Sequence, residues 1–167
     1  MRSRSCFKFV VILAGLFLAL TSWGKGAGGA EDGLDGQEVI GAGSAHLREA
    51  VLDLGFSAEQ VVTLVPPAQC PGHFDVSPAE ISSLAASRIL LVHPWQRQLA
   101  NLKRAIDAAG VRDTITVDVP GNWMVPEVLA AGLEQTAEVL AERLGSGELL
   151  RRRAAERAAA VRRAGDW

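Results

Sequence analysis

The chain has 167 residues, of which 17 are basic and 19 acidic, so its formal net charge is −2 at pH 7. The charge is uneven, since residues 31–142 hold sixteen acids and six basic residues, whereas residues 143–167 hold three acids and seven basic residues. This acidic body argues against nucleic acid as a partner, because contacts to phosphates require a basic surface.

Residues 1–30 predict a cleaved signal peptide. Three basic residues precede an uncharged apolar run over residues 9–20, and Gly28 and Ala30 suit a signal peptidase that cuts after residue 30. The run is shorter than the roughly 20 apolar residues of a membrane-spanning helix, and an uncleaved anchor is the alternative. Cys6 precedes the run, which argues against lipid attachment. We therefore expect a periplasmic or secreted protein with no stable membrane insertion after cleavage.

Cleavage would leave 137 residues, enough for one domain, with 13 basic and 19 acidic residues and a formal charge of −6. Cys70 would be the one remaining cysteine, so an internal disulfide cannot form. Three interpretations of Cys70 stay open at this point: a quiet, partly buried residue, a metal ligand, or half of an intermolecular bridge.

Short strand patterns and helical patterns alternate after residues 31–37, which are acidic and glycine-rich and predict a flexible lead-in. The predicted strands are residues 39–40, 61–65, 89–92 and 114–119, and the predicted helices are residues 47–54, 78–86, 99–109 and 126–144. This order predicts an α/β fold over residues 38–144. We expect a single three-layer lobe in which helices flank a four-stranded, mostly parallel sheet, ending in a long helix.

Local signals fix several of these elements. Ser77-Pro78-Ala79-Glu80 is a capping box with proline at the first helical position, which predicts a helix start. Residues 89–92 are apolar throughout, as in a central parallel strand that is covered on both faces. Gly55 and Gly110 follow helical patterns, as C-terminal glycines do.

Residues 145–167 predict a basic helix after a turn at Gly145-Ser146-Gly147. Its arginines alternate with alanines, a pattern typical of a solvated helix face. Binding to a membrane surface or to an acidic partner is the alternative, although alanines give little apolar area for an interfacial helix.

All three histidines follow predicted strands, where right-handed crossovers place the loops on one edge of a parallel sheet. His46 comes soon after the first strand, His73 lies in a long proline-rich loop after the second, and His93 directly follows the third. Cys70 shares the His73 loop, and Asn122 follows the fourth strand. Imidazole and thiolate are ligands that a zinc-like ion prefers, so this edge is a candidate metal site.

A dinucleotide-binding enzyme is the competing interpretation, because Gly41 and Gly43 follow the first strand as in a Rossmann fingerprint. The third glycine of that fingerprint is replaced by His46, and Val65-Pro66 stands where an acid would bind the ribose. Both departures argue against a nicotinamide cofactor.

Residues 64–81, with Cys70-Pro71-Gly72-His73-Phe74-Asp75 before a Ser-Pro helix start, resemble the first-ligand segment of zinc and manganese ABC-importer substrate-binding proteins. The segment Asn122-Trp123-Met124-Val125-Pro126 resembles the segment that carries the family's second histidine ligand. The resemblance covers roughly residues 38–165. It implies that His73 is the first metal ligand. Gly121 and Asn122 stand where the second histidine is expected, so we expect His93 to substitute, with Asn122 or Cys70 completing the set.

The resemblance also implies a two-lobed protein whose lobes are joined by a long helix, with further ligands from the second lobe. We expect this chain to be the amino-terminal lobe only, with residues 145–167 as the start of the interlobe helix. The implied function is capture of zinc or manganese for the permease of an ABC importer, without catalysis and without an organic cofactor. The alternative is a degenerate lobe that binds no metal and serves as an interaction module.

Overall fold

The computed structural model describes residues 38–165, so the predicted signal peptide, the predicted lead-in and the last two residues lie outside the described part. Four strands form a sheet there: β1 (Ile40–Ala42), β2 (Val61–Thr63), β3 (Ile89–Val92) and β4 (Asp113–Thr116). Their spatial order is β2-β1-β3-β4, and all three pairings are parallel. The predicted four-stranded sheet is confirmed, and it is parallel throughout rather than mostly parallel.

Five α-helices flank this sheet: α1 (Ala45–Asp53), α2 (Pro78–Ala85), α3 (Ala100–Ala109), α4 (Pro126–Leu144) and α5 (Gly147–Gly165). Three short 3₁₀ turns also occur, at Ala58–Gln60, Pro71–His73 and Pro94–Arg97. β3 and α4 have the bounds that were predicted from the sequence. The other helices differ from their predicted bounds by one or two residues.

β3 separates two apolar layers, because its successive side chains point to opposite faces of the sheet. Ile89 and Leu91 pack into the core beneath α1, α4 and α5, whereas Leu90 and Val92 pack into the core beneath α2 and α3. All four residues of β3 are fully buried. The predicted central strand and the predicted three-layer arrangement are therefore confirmed.

The predicted helix start at Ser77 is confirmed in detail. The Ser77 hydroxyl accepts a hydrogen bond from the Glu80 backbone N–H, and the Glu80 carboxylate accepts one from the Ser77 backbone N–H. The Ser77 backbone N–H, and to a smaller extent the Ser77 hydroxyl, stabilises the ionised carboxylate and holds the pKa of Glu80 below its ordinary value. Gly55 and Gly110 have φ angles of 95° and 61°, as expected for glycines that follow helices.

The arginine-rich helix α5 turns back at Gly145 and packs along α4. Arg151 makes two hydrogen bonds to the Glu138 carboxylate on α4, at 2.6 and 2.8 Å. Arg162 contacts two further α4 carboxylates, those of Glu127 and Glu134. Part of the basic face that was predicted to be solvated therefore forms ion pairs between α5 and α4.

The α4–α5 pair returns the chain to the end of the sheet from which α4 starts. A Cβ atom at Gly165, the last residue of α5, would lie 2.7 Å from the ring of Pro126, the first residue of α4. Within residues 38–165, no helix combines the length and the hydropathy needed to cross a bilayer.

Candidate metal site at the sheet edge

A cavity of about 430 Å³ opens at the carboxyl ends of the strands, where the chain leaves β1, β3 and β4. We call it the sheet-edge pocket. It is lined by His46, His93, Pro94, Trp95, Gln98, Asp118, Val119, Pro120, Gly121, Asn122 and Trp123. Ligands of open parallel sheets bind at this edge, so the pocket is the leading candidate site.

His93 is held on three sides. Its Nε2 atom lies 2.9 Å from the Ser44 hydroxyl, which caps α1. Its ring stacks on Trp95 with centroids 5.7 Å apart, and it meets Trp123 edge to face at 4.8 Å. The side chain of His93 is only 5% exposed, so its orientation is fixed by the fold.

Burial, and to a smaller extent electrostatic repulsion from the nearby His46 side chain, lowers the pKa of His93 from its ordinary value of 6.5 to about 4. The imidazole of His93 is therefore neutral at neutral pH. A neutral imidazole has a nitrogen lone pair, which is the form that binds a metal ion.

Gln96 ties the loop after β3 to the loop after β1. Its side chain is fully buried, its Oε1 atom accepts the His93 backbone N–H at 2.8 Å, and its Nε2 atom donates to the Gly43 carbonyl at 2.5 Å. A Cβ atom at Gly43 would lie 2.3 Å from Oε1 of Gln96, so only glycine leaves room for the amide. Gln96 was not predicted as a site residue, although His93-Pro94-Trp95-Gln96 has the same capping-box spacing as the segment that begins at Ser77.

Trp123 forms an aromatic wall of the pocket and packs against Gly132 on α4. A Cβ atom at Gly132 would lie 2.6 Å from the Trp123 ring, so the indole fits only because residue 132 has no side chain. The indole also contacts the ring of His46, with centroids 6.5 Å apart. Both histidines of the pocket thus lie beside the same tryptophan.

Gly132→Ala is expected to lower the free energy of unfolding by about 1–2 kcal/mol because the added methyl group overpacks the Trp123 contact. Helix propensity alone predicts the opposite sign, a gain of about 1 kcal/mol. Urea denaturation of the two proteins measures the difference. In a Trp123→Phe background, where the far ring atoms are absent, the same substitution should be neutral or stabilising. A gain in stability in the wild-type background would contradict the packing argument.

Cys70 and His73 pair with each other on the loop between β2 and α2. The Cys70 thiol lies 3.4 Å from Nδ1 of His73, and both side chains are exposed. Their hydrogen bond lowers the pKa of Cys70 and raises the pKa of His73. The interpretation of Cys70 as a partly buried residue is therefore wrong, because the structure leaves its side chain in solvent.

The amide of Asn101, on α3, clamps this loop from the side. Its Nδ2 atom donates to the carbonyls of Pro71 and Phe74, at 2.8 and 2.7 Å. These bonds hold the 3₁₀ turn that carries His73 against α3. The pairing spans about thirty positions of sequence, so no local pattern could have revealed it.

Asn122 lies at the rim of the pocket and is exposed. Its side-chain Oδ1 accepts the backbone N–H of Met124 at 3.0 Å, and its backbone carbonyl accepts the N–H of Val125 at 2.9 Å. The amide oxygen thus shapes the turn that leads into α4. A metal ion would have to share or displace that hydrogen bond.

The four predicted ligands fall into two groups. His93 and Asn122 line the sheet-edge pocket, whereas Cys70 and His73 pair outside its lining. In the part of the chain that the structure describes, no three side chains of His, Cys, Asp or Glu come together in a metal-holding group. The ligand set therefore stays a prediction. His46 and Asp118, which were not in that set, also line the pocket.

No protein-family model and no curated protein matches the chain. Solved structures do match its fold. FpvC of Pseudomonas aeruginosa, a substrate-binding protein in complex with Ni²⁺, aligns with a TM-score of 0.63 at 14% identity, covering 75% of this chain and 51% of that one. A mutant Mn-bound periplasmic metal-binding protein of Candidatus Liberibacter asiaticus aligns with a TM-score of 0.60 at 13% identity, covering 75% and 53%.

The Zn(II)-bound ZnuA-like domain of Streptococcus pneumoniae AdcA aligns with a TM-score of 0.61 at 12% identity, covering 78% of this chain and 54% of that one. The chain thus spans about half the length of the structures that it matches. At this level of identity the likeness concerns the fold, and it confirms the fold that the resemblance of residues 64–81 implied. The described residues have the fold of about half of a metal-binding substrate-binding protein.

Proposed function

We propose that this protein is an extracytoplasmic binding protein that captures a divalent transition-metal ion, zinc or manganese, and delivers it to the membrane permease of an ABC importer. The observation that carries the proposal is the sheet-edge pocket, in which neutral, buried His93 lies beside His46 and Asn122. The fold supports it, because matching structures hold Ni²⁺, Mn or Zn(II). We expect a binding role without catalysis, which the match to substrate-binding proteins supports.

The proposed ligands are those expected from the sequence, in two donor pairs. His93 with Asn122 contributes from the pocket, and the Cys70–His73 pair contributes from the neighbouring loop. A thiolate and an imidazole suit zinc better than manganese, which prefers oxygen ligands. The periplasm is the proposed compartment, since residues 1–30 have the pattern of a signal peptide.

Zinc is expected to raise the melting temperature of purified residues 31–167 by about 5 °C or more at a concentration one hundred times its dissociation constant, because binding to the folded state alone stabilises it by about 2.7 kcal/mol. Differential scanning fluorimetry with zinc and with manganese measures the shift. His93→Ala and His73→Ala, which remove one histidine from each donor pair, show which pair binds the ion. If neither metal produces a shift, metal capture is excluded.

A second candidate function is an interaction module that binds no metal. It is favoured by the exposure of Met124 and Val125, 79% and 46%, directly after the pocket residue Trp123. The absence of a metal-holding trio among the described residues points the same way. The metal titration separates the two functions, because an interaction module would show no metal-dependent shift.

A further inference from the structure

Cys70 and His73 lie on one face of a single helical turn. The His73 backbone N–H donates to the Cys70 carbonyl at 3.0 Å, which closes the 3₁₀ turn over Pro71–His73. Side chains three residues apart in such a turn lie one above the other, so the backbone itself brings the thiol and the imidazole together. Both side chains are exposed, and an ion in solvent can therefore reach them.

The separation of their donor atoms matches that of two ligands on one zinc ion. Sγ of Cys70 lies 3.4 Å from Nδ1 of His73. Zinc binds a thiolate sulfur at about 2.3 Å and an imidazole nitrogen at about 2.0 Å, and at a tetrahedral angle these bonds place sulfur and nitrogen about 3.5 Å apart. The hydrogen-bonded pair can therefore become a chelating pair with almost no change in its separation.

Asn101 holds this turn in place from α3. Its amide nitrogen has two N–H donors, and both are used: one donates to the Pro71 carbonyl at 2.8 Å and the other to the Phe74 carbonyl at 2.7 Å. The two carbonyls lie on either side of His73 along the chain. A ligand that is held in this way loses little freedom when an ion binds, so such partners contribute to affinity without touching the metal.

We propose that Cys70 and His73 bind one ion together through Sγ and Nδ1, that Cys70 makes the protein select zinc over manganese, and that Asn101 is the positioning residue of this pair. A thiolate is a soft ligand that suits zinc, whereas manganese prefers oxygen. The thiol proton passes to solvent as the zinc–sulfur bond forms. This inference rests on the proposed function and specifies which of its ligands selects the metal.

Metal titrations test the inference, using protein purified after export from cells that express the full chain, with the thiol kept reduced by a phosphine. Co²⁺ is the spectroscopic probe, because a thiolate on cobalt gives a charge-transfer band in the near ultraviolet that nitrogen and oxygen ligands do not give. We expect this band in the wild type and its loss in Cys70→Ser. Cys70→Ser should also lower the ratio of zinc affinity to manganese affinity by about tenfold or more.

Gln69→Ser is the matched control, because Gln69 is the exposed neighbour of Cys70 on the same loop, and it should leave the band and the affinity ratio unchanged. A double-mutant cycle tests Asn101. Asn101→Leu removes both amide donors and is expected to weaken zinc binding by about tenfold in the wild type. In the Cys70→Ser background it should cost less than about threefold, because the pair that Asn101 positions is already broken. Circular dichroism checks that all variants are folded.

Each other outcome overturns a defined part of the inference. Zinc binding without a thiolate band on cobalt, or an affinity ratio that Cys70→Ser leaves unchanged, refutes selection by Cys70 and leaves metal capture standing. An equal cost of Asn101→Leu in both backgrounds refutes its positioning role, because the residue would then support the loop without acting through the pair. If neither zinc nor manganese binds to the wild type, this inference and the proposed function both fail.

Discussion

Gln96→Leu is expected to lower the free energy of unfolding by about 3 kcal/mol, although leucine is apolar and residue 96 is fully buried. The substitution leaves the His93 backbone N–H and the Gly43 carbonyl without the partners that the amide now provides. Each buried backbone group without a partner costs about 1–3 kcal/mol, which exceeds what leucine gains by burial. Urea denaturation at neutral pH measures the loss.

Gln98→Leu is the matched control for this prediction. Gln98 lies two residues further along the same loop and is exposed, so the change should alter stability by no more than about 0.5 kcal/mol. If Gln96→Leu unfolds at the same urea concentration as the wild type, the two hydrogen bonds of Gln96 do not hold the loops after β1 and β3 together.

Acidification is expected to destabilise the protein through His93. The pKa of His93 is about 4 in the folded state and 6.5 at its ordinary value, so the unfolded chain takes up a proton more readily than the folded protein does. The stabilising contribution is complete above pH 6.5 and is lost as the pH falls from 6.5 to 4. Its full size is at most about 3.5 kcal/mol, since the pKa is lowered by about 2.5 units and one pKa unit corresponds to about 1.4 kcal/mol.

The measurement is the free energy of unfolding of wild type and His93→Gln at several pH values between 7 and 4. The wild type should lose more stability than the variant over this range, because glutamine does not titrate. His46→Gln is the control, since His46 is exposed and its removal should leave most of the pH dependence in place. Parallel curves for wild type and His93→Gln would show that burial of His93 has no such effect.

The sequence was sufficient for elements whose ends are set locally. α4 begins at Pro126, which suits the first helical position, and ends before Gly145, which takes a left-handed conformation. β3 is a wholly apolar run that stops before His93-Pro94. In both cases the residues that set the ends of the element lie inside it or next to it, so the local sequence pattern is sufficient to predict its bounds.

The ends of the other strands depend on their neighbours in the sheet. The fourth strand was predicted over residues 114–119, but β4 ends at Thr116, because β3 ends at Val92 and offers nothing to pair with further on. The last hydrogen bond between these two segments runs from the Val117 backbone N–H, just after β4, to the carbonyl of Val92, the last residue of β3. The first strand was predicted over residues 39–40, yet it extends to Ala42 because β2 and β3 pair with it on both sides.

Only part of the candidate site could be predicted from the sequence, because the rest depends on contacts between residues that are distant along the chain. His93 directly follows a strand, so its position at the sheet edge could be read from the order of elements. His73 lies in a long loop whose path is set by Asn101 of α3, a contact that no local pattern encodes. The pocket also depends on Gly132. In the sequence this residue only lowers the helix propensity of α4, whereas in the structure the Trp123 ring occupies the space that a side chain at position 132 would need.

The return of α5 to Pro126 also makes the pocket accessible to spectroscopy. Gly165 lies against Pro126, which follows the turn from Trp123, so a fluorophore attached at the end of α5 would lie within energy-transfer range of that indole, provided that Trp167 is replaced by phenylalanine. The carboxyl-terminal end of the described chain is therefore a suitable place for an optical reporter. The same proximity makes it a poor place for a bulky purification tag.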